Sequence, residues 1–170
     1  MKAATARPAG PPWKIVLVVE DDSDGQALRK LATACGITAT IDWLPANGIG
    51  NIKRSAAKLI RLALDRLPEG RGCVAVLVDR DGKDAARQEP HRSIRRACQA
   101  ASVPYIEAVE SFEGWCLADP GICGWLGLTP HATSDTVRDP KALVGAAYYR
   151  KTRRAYGPRR ARPLLASHAD

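Results

Sequence analysis

Several classes of residue and segment are scarce in this chain, and each scarcity excludes something. Aromatic side chains make up 5% of the sequence, with a single phenylalanine, so aliphatic residues must build most of any core. No apolar run approaches the roughly 20 residues of a membrane-spanning helix; Lys14–Val19 is far too short. The opening stretch, MKAATARPAGPP, lacks the apolar centre of a signal peptide. It is expected to be a flexible leader over residues 1–12 on a cytoplasmic protein with no membrane contact. The five cysteines are scattered and form no CxxC pair, which argues against a zinc site or a disulfide framework. His91, His131 and His168 are isolated and show no ligand spacing.

What remains is the profile of one soluble globular domain: 170 residues, 45% apolar and 26% charged. Lys14–Val19 and Cys73–Val78 are continuous apolar runs rich in β-branched residues. That pattern belongs to strands buried on both faces of a parallel sheet. Weaker strands are expected at 37–44 and 103–109. Helical periodicity intervenes through Ala27, Leu28, Leu31 and Ala32, with Ser23 or Asp22 as cap, then over 52–67 and 91–101. A short helix follows Glu110. Strands alternating with helices predict an α/β fold, a mainly parallel sheet with helices on both faces, over residues 13–128. Residues 129–170 read as a basic, partly helical extension, with a helix near 141–149 and no firm element beyond it.

Charge is distributed unevenly. Nine Lys and Arg stand against one acid between Arg138 and Arg162, while the rest of the chain is balanced at 17 of each sign. Arg150, Lys151, Arg153, Arg154, Arg159 and Arg160 interleave with Tyr148, Tyr149 and Tyr156. The mixture suits a nucleic-acid backbone, where bound cations release counterions; it also suits a solvated tail.

The acids are more pointed. In open parallel sheets, functional groups gather beyond the carboxyl ends of the strands. Glu20 follows the first run, Asp79 and Asp81 follow the third, and Glu110 and Glu113 follow the fourth. Asp24 lies one helical turn after Glu20, so both can face one side. Asp79 and Asp81 flank a single residue of extended chain and face the same way. Gathering carboxylates is costly unless a positive charge sits among them, and hard oxygen donors suit Mg²⁺ or Mn²⁺. Taken singly, each acid is equally well explained as a cap or a solvated turn residue.

A hydrophobic strand ending in Glu, then another ending in DxD, resembles the TOPRIM domain of topoisomerases, primases and certain nucleases. An acid four residues after the glutamate and a later Ser-x-Glu are similar to the overcoming-lysogenization-defect nucleases; here these are Asp24 and Ser111-Phe112-Glu113. The stretch Glu110–Asp119 also resembles a small bacterial TOPRIM-like family found beside ATPase genes. Together the resemblance covers about residues 14–120. It implies a TOPRIM/Rossmann-like fold and a Mg²⁺-dependent endonuclease. In that reading Glu20, Asp79, Asp81 and Glu113 are catalytic, and Glu20, Asp24, Asp79, Asp81, Ser111 and Glu113 surround the metal. Nucleic acid, DNA before RNA, would be the substrate. A partner ATPase, a homodimer and a role in phage defence are further implications. One departure is Asp21, which stands where the family usually has glycine.

Two other readings stay open. An inactive TOPRIM-like module would bind nucleic acid or protein without cleaving. A phosphoacceptor receiver domain would use the acids at 20–22 and a phosphorylated Asp79. Its gap of 57 residues between Asp22 and Asp79 is long, and no Lys-Pro follows a later strand. Asn47-Gly48-Ile49-Gly50 could cradle a phosphate at a helix start, though a turn needing positive φ explains it as well.

Overall fold

The structure is a computed structural model that describes residues 13–80, 85–108, 111–130, 137 and 139–170. Four strands form one parallel sheet in the order β2-β1-β3-β4. They are β1 Lys14–Val19, β2 Thr40–Pro45, β3 Gly72–Asp79 and β4 Tyr105–Ala108. The two longest apolar runs of the sequence are the two central strands. Val16, Val18, Val74, Val76 and Val78 point to one face, and Leu17, Val19, Ala75 and Leu77 point to the other. Both faces are covered, which is why these strands show no polar alternation.

Helices α2 (Ile49–Leu64) and α3 (Ala85–Ala100) cover the first face through Ile52, Ile60, Ala63, Ile94 and Cys98. The second face packs Leu28 of α1 (Asp22–Ala34) and Trp115 of α4 (Phe112–Cys116). The expected α/β class, with a parallel sheet between helical layers, is the observed one. Boundaries differ locally. Strand β2 begins at Thr40 rather than at Ile37, whose side chain is exposed. Helix α3 begins at Ala85 rather than His91 and takes Pro90 inside it, at the cost of the backbone bond that a proline cannot donate. Asn47 and Gly48 both have positive φ and Gly50 does not, so the turn explanation accounts for the first glycine of that pair.

The C-terminal region corrects the expectation. Helices α5 (Pro120–Leu126), α6 (Pro140–Thr152) and α7 (Pro158–Leu165), with a 3₁₀ turn at Ala166–His168, follow α4. Each of the three α-helices starts with proline at its first turn, and Asp119 and Asp139 cap the first two. Val144, Ala147 and Tyr148 of α6 and Ala161 and Leu165 of α7 are buried with Phe112, Cys116 and Ile122 in a second core. The basic segment past Tyr149 therefore contains a packed helix where no firm element was expected. Its apolar residues are few but fall on one side, and they dock on α1 beside the sheet.

Candidate acidic site

Parallel register brings the strand ends level: Val19 pairs with Pro45, Val18 with Val76, and Asp79 with Ala108. The residues just past these ends therefore share one rim. Glu20 reaches across it, and its Oε1 accepts a hydrogen bond from the Asp79 backbone N–H at 3.0 Å. Asp79 Oδ1 in turn accepts from the backbone N–H of Phe112 at 2.9 Å, tying the end of β3 to the start of α4.

Helix α1 begins beside this rim. Its cap is Asp21, not Ser23 or Asp22: Asp21 Oδ1 accepts from the Ser23 N–H, and Asp24 Oδ2 accepts from the Asp21 N–H, both at 3.0 Å. This reciprocal box holds the first turn and fixes Asp24, 5% exposed, facing the sheet end. Asp21 thus has a local structural role at the position where the resemblance expects glycine. Gly25 is required one residue on, because a Cβ there would stand 2.2 Å from the Trp43 ring.

The remaining acid comes from α4. Glu113 is fully buried, one residue inside the helix that Ser111 starts. Ser111 occupies the cap position but its side chain makes no cap bond. Its buried Oγ meets no partner at hydrogen-bond geometry, yet stands near enough to Glu113 to favour the charged carboxylate.

At the centre of these acids lies a residue of the basic segment. The Arg162 guanidinium donates through Nη1 to Asp24 Oδ1 and through Nη2 to Asp79 Oδ2 at 2.9 Å. It also donates through Nε to Glu113 Oε1 at 2.9 Å and through Nη2 to Glu113 Oε2 at 3.2 Å. The planar fork serves three carboxylates at once, as a lysine could not. Lys141 Nζ adds a longer contact to Asp79, 3.6 Å. Tyr156 donates its hydroxyl to Glu113 Oε1 at 2.6 Å, and Arg159 pairs with Asp21 at 3.0 Å.

Electrostatics divide the carboxylates. Burial pushes Asp24 and Asp79 above the usual carboxylate range, and Arg162 only partly offsets it; Asp79 also raises Asp24, and Glu113 raises Asp79. Burial acts on Glu113 in the same direction, but its bonds from Arg162 and Tyr156 win and hold it below the ordinary value. Two buried acids and part-buried Asp79 thus share one deeply placed cation, with Lys141 as a second positive charge beside Asp79.

Of the residues singled out from the sequence, Asp24, Asp79 and Glu113 meet on one guanidinium, and Glu20 bonds the backbone beside them. Asp81 and Glu110 lie outside the described residues. Arg150, Lys151, Arg153, Arg154, Arg159 and Arg160 are exposed; Lys151 lies over the Trp125 ring at 5.8 Å. Arg162, Tyr156 and Lys141 were missed as site residues. Gly157-Pro158 signals the start of α7, but no local signal marks Arg162 within that helix.

The donors fit a hard divalent cation in kind, being carboxylate oxygens that outnumber their counter-charges. Their arrangement is a different matter: among the described residues no group of three acids, cysteines or histidines is placed to hold a metal ion. The guanidinium lies where the acids converge. No protein-family model, no curated protein and no solved structure matches the chain. No helix among the described residues is long and apolar enough to cross a membrane.

Proposed function

We propose that this protein is a divalent-cation-dependent phosphodiesterase acting on nucleic acid at the rim where Glu20, Asp24, Asp79 and Glu113 gather. The observation that carries the reading is convergence: Asp24, Asp79 and Glu113, from α1, β3 and α4 and up to 89 residues apart in sequence, meet on one guanidinium, and part-buried Glu20 bonds the backbone beside them. A fold seldom buries so many carboxylates with a deficit of cations unless they serve a further positive ligand.

Asp24, Asp79 and Glu113 would hold the Mg²⁺ or Mn²⁺, with Asp81 as the DxD partner of Asp79. When bound, the ion supplies charge for the phosphoryl oxygens and lowers the pKa of a nearby water. The chain's own contributions are positional. Helix α1 and its capping box orient Asp24, and the Phe112 N–H orients Asp79. Glu20, at the strand end, would be a further ligand or the group that moves a proton. Arg159 and Arg160, exposed on the same helix as Arg162, offer charge to the phosphate backbone beside the acids. The exposed Arg150, Arg153 and Arg154 extend that surface along the chain.

The test is cleavage of plasmid and single-stranded substrates in Mg²⁺ and Mn²⁺, with an Asp79→Ala, Asp81→Ala double variant as control. Cleavage that vanishes in the double variant supports the proposal; equal cleavage in both proteins points to a contaminant and sinks it.

Two specific observations favour other readings. The closed Arg162 cluster satisfies its carboxylates without any metal, as expected of an inactive module that binds nucleic acid or a partner. Lys141, beside Asp79, supplies from α6 the lysine that a receiver domain needs. Both Asp79 oxygens are already engaged, however, and only 12% of its side chain is exposed. Acetyl-phosphate labelling at Asp79 is accordingly expected to fail.

A further inference from the structure

We infer that Arg162 and a divalent cation exclude each other, so that Arg162 is an internal counter-ion that must leave the acid cluster before a metal enters. The inference rests on the metal-dependent reading above and specifies how that site is regulated.

The argument is one of shared lone pairs. Asp24 Oδ1, Asp79 Oδ2 and both oxygens of Glu113 already accept hydrogen bonds from the guanidinium. A Mg²⁺ ion needs oxygens at about 2.1 Å in near-octahedral order, and it would need these same oxygens. Nη2 bonds both Asp79 Oδ2 and Glu113 Oε2, so it sits in the gap an ion bridging those two acids would fill. A lysine or histidine in this place could yield by losing its proton. Arginine cannot, because its guanidinium stays charged at any pH a protein tolerates, and here three carboxylates raise its pKa further. Two cations cannot share the centre, so one must move.

The geometry also shows what Arg162 would leave. It stands on α7, which among the described residues is tied to α1 and its cap by two polar contacts besides the Arg162–Asp24 bond. Lys30 Nζ donates to the Pro163 carbonyl at 2.8 Å, and Arg159 pairs with Asp21 from an exposed position. Ala161 and Leu165 anchor the helix to the core on either side of the arginine. Arg162 and Asp79 thus sit on separate elements, α7 and β3, so the arginine is no part of the sheet that carries Asp79.

The experiment uses the whole chain and Mg²⁺ alone, without substrate. Calorimetric titration compares the wild type with Arg162→Lys, which keeps one positive charge but cannot bridge three carboxylates, and with Asp79→Asn. The expected result is Mg²⁺ binding about ten-fold tighter in Arg162→Lys than in the wild type, and none in Asp79→Asn. In case the lysine variant fails to fold, the side-chain Nε–H resonance of Arg162 in the wild type gives a second readout. That N–H is bonded to buried Glu113, so its signal should shift or broaden as Mg²⁺ saturates. Equal affinity in wild type and Arg162→Lys overturns the inference while leaving the metal site standing, as does an Nε–H signal unmoved at saturation. Binding that survives Asp79→Asn, or no Mg²⁺ binding in any of the proteins, overturns the inference and the metal-dependent reading together.

Discussion

Two charged clusters flank the sheet of this protein, and they are built from similar residues to opposite effect. Around Arg162, at the carboxyl ends of β1 and β3, Asp24, Asp79 and Glu113 are buried with a side chain only 6% exposed. Around Glu107, on β4, Arg95 donates at 2.6 Å from a side chain 49% exposed, and buried His91 bonds the Tyr105 hydroxyl at 2.6 Å. The second cluster has one acid for one arginine, and that arginine lies open to water. The first has more acids than cations and is closed. Charge at a protein surface is inexpensive and weakly stabilising, whereas charge in the interior has to be matched group by group. Among the described residues an excess of acids over cations is therefore the informative feature, and the first cluster has it.

The largest contrast should come from truncating the arginine of each cluster. Arg162→Ala leaves three buried carboxylates without their shared donor, and breaking a buried charge pair in this way costs about 3–5 kcal/mol. Urea denaturation should show the loss as a lower midpoint at unchanged slope. A change under 1 kcal/mol would mean that the acids are hydrated rather than held by the guanidinium, and the contrast between the clusters would collapse.

Glu113→Gln probes the same centre more gently. It keeps the shape of the side chain but removes the charge that Arg162 and Tyr156 both address. Hydrogen bonds to a charged partner contribute about 1.5–3 kcal/mol, so a loss in that range is expected by the same denaturation measurement. Tyr156 should also titrate more readily in the variant, since burial and Glu113 both hold its hydroxyl up. Ultraviolet titration at high pH would detect it.

Acidification should separate the carboxylates from one another. Asp24 and Asp79 have raised pKa values in the fold, so the folded state binds more protons than the unfolded chain as pH falls toward them. Stability therefore rises on mild acidification. Glu113 behaves oppositely: its folded pKa is lowered, so its contribution is complete above the ordinary value of 4.5 and is lost as pH drops through the folded one. Thermal melts are expected to peak on the acid side of neutral and then decline below about pH 4.5. In Asp79→Asn the rising limb should shrink while the decline stays. A peak unmoved by that substitution would assign the limb to other groups.

How much of this was legible beforehand depended on whether a residue's environment is announced by its neighbours in sequence. The central strands were, because β1 and β3 are buried on both faces and so read as unbroken apolar runs. Asp79 was placed at the end of such a run, and Glu20 just beyond another. Helix α7 was obscured for the converse reason: Pro158-Arg159-Arg160-Ala161-Arg162-Pro163 carries more charge than apolar surface, and its stability comes from docking Ala161 and Leu165 on a distant core. Nothing local distinguishes Arg162, which is buried, from Arg160, which is exposed two residues earlier. That difference is tertiary. The same holds for α1, where Ser23 or Asp22 was the expected cap and only the position of Asp24 against the sheet end selected Asp21.

The smallest effect belongs to the open cluster. Arg95→Ala removes an exposed ion pair with Glu107 and the stacking of the guanidinium over Tyr105, 5.3 Å from the ring centre. Exposed pairs contribute about 0.2–1 kcal/mol, and a cation over an aromatic face at such a site adds about 0.5–1 kcal/mol. The combined loss should stay well below that of Arg162→Ala, and most of the ion-pair share should vanish at high salt, since screening acts on exposed charges. The Arg162 variant's loss should persist under the same salt, because water and counter-ions do not reach a buried carboxylate trio. Denaturation of both variants at low and at high ionic strength thus measures the difference directly. If both losses faded together, burial would not be what separates the two clusters, and the case for a functional site at the first would lose its physical ground.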